Sequence, residues 1–177
     1  MINNFELIKN FVTFESNDDF FFTQIIKRKR ENPNIIRDSI SIHNYYFSSI
    51  KDFDKYQNEI IDLCNDNNAR CYINLNKRSF KEIALESNFK SAELIKNHEY
   101  KAVYKTYLSA CGKHSNDKIK KWIIDLEEID IPHLENIKYI LELSKSKIFL
   151  EIPTKNGLHL LVKGFDSRKF RETFPTI

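Results

Sequence analysis

Only three glycines occur in the 177 residues, Gly112, Gly157 and Gly164, so the chain has no glycine-rich loop with which to cradle a phosphate. That scarcity excludes a Rossmann fingerprint, a P-loop, a collagen-like repeat and a Gly-rich linker. What remains is bulky: 14 Phe, 8 Tyr and 24 Ile, beside 30% charged residues. Such a composition supplies a core and a soluble surface, and it excludes disorder of the whole chain. The length suits one sizeable core or two small packed subdomains.

Net charge is +3 at pH 7, which tolerates an anionic partner without requiring one. Cys64, Cys71 and Cys111 lack the close paired spacing of a zinc site and read as reduced, mostly buried thiols. Cys111 and His114 lack any further group that would activate a nucleophile, so cysteine catalysis is set aside. The start, MINNFELIKNFVTF, is interrupted by Glu6 and Lys9 and does not read as a signal peptide. No stretch approaches the roughly 20 apolar residues that span a bilayer, so no membrane partner is expected and the cytoplasm is the expected compartment.

Local patterns predict an α/β (α+β) chain. Residues 1–112 form a mainly helical α/β unit, packed on a subdomain of residues 113–177. Phe20–Asn32 reads as a short amphipathic helix, with Lys27 to Arg30 in its last turn, where the helix dipole favours cations. A β-prone stretch runs from Ile40 to Phe47, and a helix covers Lys51–Asn65. Ala69–Leu75 alternates as a strand. Ser79 to about Leu108 is helical with a break near Asn97 and His98, and Ala110–Asn116 is a connecting loop. In the second part, Lys121–Leu126 is a strand, Pro132–Leu143 a helix, and Ile148–Ile152 and Leu158–Val162 are strands. Asn156-Gly157 marks a hairpin between the last two. The resulting β-α-β-β order is most of a ferredoxin-like or RRM-like subdomain, with a further strand expected beyond Ile177 to cover its open edge.

Two segments carry candidate chemistry. In WIIDLEE, Asp125 and Glu127 lie two apart on a strand and share a face, a hard-oxygen pair suited to Mg²⁺ or Mn²⁺. Acidic residues also end strands simply because the chain meets solvent. In EIPTKNGLHLLVKGF, Gly157 and His159 share a face, with Gly157 leaving room above the sheet for a ligand. Lys155, the turn backbone and His159 could contact phosphate oxygens, although a strand histidine is often structural. In one sheet, the two segments would place a carboxylate metal site beside a cationic phosphate clamp, as metal-bridged triphosphate chemistry requires.

With those residues in place, the chain resembles the primase-polymerase (archaeo-eukaryotic primase) superfamily. It is most similar to small phage-type or mobile-element relatives, and it looks incomplete at its C-terminal end. The resemblance rests on WIIDLE, an apolar strand ending in acid-x-acid, and on TKNGLH, a small-x-His hairpin strand. It covers Ala110 to Phe174 and extends only loosely upstream. It implies a primase-polymerase-like fold, and divalent metal held by Asp125 and Glu127. Thr154, Lys155, Asn156, Gly157 and His159 would surround the phosphates of a nucleoside triphosphate. The implied activity is nucleotidyl transfer with DNA or RNA as partner, alongside replication or mobile-element proteins. The superfamily's third acidic residue has no match here, because Asp166 lies too soon. The alternative is a catalytically inactive nucleotide- or nucleic-acid-binding accessory protein.

Upstream, ARCYINLNKRS places Arg70, Tyr72, Asn74 and Asn76 near one strand face, with Arg78 at the next helix start. Arg70, Asn74 and Arg78 are candidate nucleotide contacts, since guanidinium grips phosphate and Asn or Tyr meets a base or sugar. Surface salt bridging is the plainer reading of the same residues.

Overall fold

The computed structural model describes residues 2–128 and 130–174, and the chain divides into two units. One is Val12–Asp117; the other joins Met1–Phe11 to Lys118–Ile177. Helix α1 (Phe5–Phe11) therefore groups with the C-terminal unit, where Asn4 Nδ2 donates to the Pro153 carbonyl at 2.8 Å. The division at 112/113 read from the sequence falls inside the last turn of a helix, α4 (Thr106–Lys113). Among the described residues, no helix is long and apolar enough to cross a membrane.

The unit Val12–Asp117 is built on strand β1 (Asp19–Arg28), where the sequence reading placed a helix. Phe20, Phe21, Phe22, Thr23 and Ile25 are all buried, so both faces of this segment face protein. A continuous apolar run serves a central strand covered on two sides, and aromatic and β-branched residues favour that backbone. Beside it lie β2 (Ser39–Phe47) and β3 (Arg70–Ile73), in the antiparallel order β2-β1-β3, while the short β4 (Arg78–Ser79) pairs with the start of β1. Helix α2 (Ile50–Asp66) covers one face, with Phe53 4.4 Å from Phe47 and Tyr56 5.2 Å from Tyr45. Its start is held by the Asp52 carboxylate, which accepts from the Ser48 and Ser49 N–H groups.

The other face carries Phe20 and Phe22, which form a core with Ile83, Ala110 and Cys111; Phe20 stacks on Phe80 at 4.2 Å. These partners come from α3 (Phe80–Lys96) and α4, separated by a 3-10 turn at Tyr100–Lys105. Ser79 caps α3 by accepting from the Glu82 N–H at 3.0 Å. The expected break is present: His98 takes a left-handed φ of 60°. The expected loop Ala110–Asn116 begins later than predicted. Its first four residues complete α4, which places Ala110 and Cys111 in the core.

The second unit follows the expected β-α-β-β order: β5 (Lys121–Glu127), α5 (Ile131–Leu143), β6 (Ile148–Pro153) and β7 (Gly157–Lys163). The strand order is β5-β7-β6, with β7 central and antiparallel to both neighbours. Ile124, Leu126, Leu160 and Val162 turn inward onto Ile137 and Leu141 of α5. SRKFRET forms a further helix, α6 (Ser167–Thr173); Phe170 within it and Phe174 just beyond it are buried in the same core. Asp166 accepts from the Arg168 N–H at the start of α6.

The β6–β7 hairpin forms by a different turn from the one Asn-Gly signals. Pro153 pairs with Leu158, and the Thr154 N–H donates to the Gly157 carbonyl at 2.9 Å, closing a four-residue loop. Neither Asn156 nor Gly157 takes a positive φ, so the left-handed two-residue turn is not used.

Candidate functional site

The candidate site lies on the β5–β7 ladder, and strand alternation sets it. Even-numbered Ile124 and Leu126 point into the core, so Ile123, Asp125 and Glu127 point outward and are exposed. Across the ladder, Asp125 pairs with His159 and Glu127 with Gly157; on the far side of β7, His159 pairs with Ile152. Directly opposed residues of an antiparallel pair share a face, so Asp125, Glu127 and His159 stand on one side of the sheet.

His159 Nε2 lies 3.1 Å from Asp125 Oδ1, with the two side chains 35% and 62% exposed. This fixes the imidazole through one nitrogen at an accessible position. Glu127 lies one strand repeat further, about 6.5–7 Å along the backbone, so its carboxylate is a neighbour of this pair rather than a member. Among the described residues, no group of three or more His, Cys, Asp or Glu is placed to hold a metal ion. The donor chemistry nevertheless fits Mg²⁺ or Mn²⁺, because such ions are commonly held by one or two carboxylates completed by substrate phosphates and water.

Lys155 and Asn156 are exposed at the tip of the hairpin and Thr154 is half-buried beside them. The Asn156 carbonyl accepts from the Glu128 N–H at 2.9 Å, tying the loop to the end of β5. Gly157 is not the vacancy expected for a ligand. A Cβ there would lie 1.9 Å from the Leu126 carbonyl oxygen and 3.1 Å from Glu127 Cα. The missing side chain makes room for the β5 backbone, which passes over Gly157 before turning through Glu128 at φ 52°.

No family model, curated protein or solved structure matches this chain.

The three upstream candidates have separate placements in the other unit. Arg78 is 2% exposed; its Nε donates to the Cys111 carbonyl at 2.7 Å and its Nη1 to the Asn76 carbonyl. It is a structural pin with no surface to offer a phosphate, and burial pulls its pKa below the ordinary arginine range. Asn74 shapes its own turn, with Oδ1 accepting from the Asn76 N–H at 3.1 Å and its N–H donating to the Phe22 carbonyl. Arg70 stays at the surface, 2.6 Å from Glu31. Burial pushes the Cys111 thiol up to about 11, keeping it protonated and unreactive at neutral pH.

Glu31 also receives Arg28 at 2.5 Å. The Arg28 hydrogen bond chiefly, with Arg70 adding charge, holds its carboxyl below the ordinary 4.5. A depressed carboxylate contributes stability above its unfolded pKa and loses it as pH falls through the folded one. Glu31→Gln is therefore expected to cost stability at pH 7 and progressively less below about 4.5. Urea midpoints at pH 7 and pH 3.5 check this: an equal deficit at both would remove the carboxylate's role.

Sequence reasoning missed Gln24 and Arg28 as strand residues because Phe20–Asn32 reads at helical period. The signal available was the unbroken run FFFTQII, too apolar on all sides for an amphipathic helix.

Proposed function

We propose that this chain is a metal-dependent nucleotidyltransferase of primase-polymerase type, using nucleoside triphosphates and a nucleic-acid 3′ hydroxyl. One observation carries the reading: Asp125, Glu127 and His159 stand on one side of a single antiparallel ladder, each with an accessible side chain, beside a hairpin loop bearing Lys155. That placement puts anionic oxygens next to cationic donors, the pairing that a metal-bridged triphosphate needs. Mg²⁺ or Mn²⁺, when bound, supplies Lewis acidity at the transferring phosphoryl group. Asp125 and Glu127 present the carboxylates that would hold it. Asp125 holds the His159 ring beside the phosphates, and Lys155 offsets triphosphate charge from the loop.

A second reading, a nucleotide- or nucleic-acid-binding accessory protein without turnover, is favoured by the lack of a three-donor group among the described residues. Two measurements separate them, primer extension with Mn²⁺ and labelled nucleotides, and triphosphate binding by titration. The transferase reading expects incorporation, and a loss of about 100-fold or more in Asp125→Ala with its circular dichroism unchanged. Triphosphate binding with no incorporation by the unaltered chain would overturn it in favour of the accessory protein. Absence of both would overturn both.

A further inference from the structure

Helices α3 and α4 cover only part of the β2-β1-β3 sheet. They meet the rows of Phe20 and Phe22: Tyr46, opposite Phe22, packs 5.9 Å from Tyr107. On the same face, two residues further along β1, Gln24 stands between Asn44 of β2 and Tyr72 of β3 in one cross-strand row. The Gln24 amide donates to Asn44 Oδ1 at 2.9 Å, and Ser41 Oγ donates to the same oxygen at 3.2 Å. The next row carries Ile26 with Arg70, and Arg28 follows. This part of the face is open: Tyr72 is 38% exposed, and the Arg28 and Arg70 side chains are 32% and 47% exposed.

The row is an aromatic ring set among cations and amides. Arg28 lies 5.8 Å from the centre of the Tyr72 ring, and both guanidiniums lean on the single carboxylate of Glu31, leaving the trio net positive. The segment between β1 and β2 reinforces that sign. From Lys27 to Asp38, Lys27, Arg28, Lys29, Arg30 and Arg37 stand against Glu31 and Asp38. Each feature has a counterpart in one ligand: the ring stacks on a base, the amides meet base edges or sugar, and the cations follow a phosphate backbone. A duplex hides its base faces, so an exposed ring on a sheet selects unpaired strands.

We propose that this open sheet face, Gln24, Asn44 and Tyr72 with Arg28 and Arg70, is a binding platform for single-stranded nucleic acid. It rests on the preceding reading for the class of ligand, and its residues lie wholly within the unit Val12–Asp117. Tyr72 is the stacking anchor. Arg70 supplies phosphate contact, and Arg28, held by Glu31, fixes the ring's position.

Fluorescence anisotropy of a labelled 12-nucleotide oligo(dT) with the full chain tests it. Tyr72→Ala is expected to weaken binding about 5- to 100-fold, whereas Tyr72→Phe keeps it, because the ring and not the hydroxyl does the stacking. Arg70→Gln is expected to weaken binding and reduce the slope of log K against log salt by about 0.7. Affinity is read on the unaltered chain and the Tyr72 and Arg70 variants without metal or triphosphate, so failure of the transferase reading, seen in primer extension, does not register as failure of the platform. No binding by the unaltered chain at 50 mM salt, equal affinity of Tyr72→Ala and the unaltered chain, or tighter binding of duplex than of single strand would each overturn the proposal.

Discussion

Gly157→Ala is expected to lower the stability of the C-terminal unit by about 2–3 kcal/mol, near the upper range for overpacking a tight site. The added Cβ would meet the Leu126 carbonyl oxygen at 1.9 Å and its carbon at 2.9 Å. Both are main-chain atoms of a paired strand, so no side chain can swing away. The strain is relieved only by parting β5 from β7 at the Glu127–Gly157 pair, one repeat from Asp125 and His159. The readout is a lower urea midpoint. A substituted protein with an unchanged midpoint would show that β5 does not approach Gly157 as described.

Arg78→Met is expected to cost about 3 kcal/mol. Arg78 joins β4 to the end of α4, where the Cys111 carbonyl is among the last four of the helix and lacks an intrahelical partner. Its guanidinium, itself 2% exposed, donates to that carbonyl and to the Asn76 carbonyl together. Methionine fills much of the volume and removes the donor that the buried Cys111 carbonyl uses. Arg78→Lys should recover less than half of the loss, because a single ammonium cannot reproduce the fork. Thermal melts followed by circular dichroism would read a midpoint lower by about 6–10 °C for Arg78→Met. A shift under 2 °C would mean that the two carbonyls find other donors.

The two substitutions mark where local reading succeeds and where it stops. The β5-α5-β6-β7 segment was legible because alternation in WIIDLE and LHLLV, and helical spacing at Leu134, Ile137 and Leu141, lie within windows of a few residues. The same alternation puts Asp125 with Glu127 and Gly157 with His159, while the pairing of Asp125 with His159 across β5 and β7 sets all three side chains on one side. Only the Asp125–His159 pair came within hydrogen-bond distance, because residues two apart on a strand diverge by a full repeat while residues opposed across a ladder approach.

The misread segments share a cause. Phe20–Asn32 looked amphipathic because its cations cluster at one end, yet its apolar residues point both ways, toward α2 on one side and α3 with α4 on the other. Nothing within the thirteen residues says that two layers will close over it. Gly157 looked like space kept for a ligand, and Arg78 like a hand held out to phosphate. The first is filled by a backbone 31 residues away in sequence and the second by a carbonyl 33 residues away.

By itself, then, the amino-acid order determined the mixed α and β character, the strands of the C-terminal unit and the shared face of Asp125 and Glu127 on one of them. Each of these depends on periodicity, a short-range property of the backbone. The tertiary structure alone decided which glycine serves packing, which arginine is buried, and that Gln24, Asn44 and Tyr72 form one row. These depend on strand pairing and layer closure, where distant residues take up the space and the hydrogen-bonding capacity that a local window leaves open.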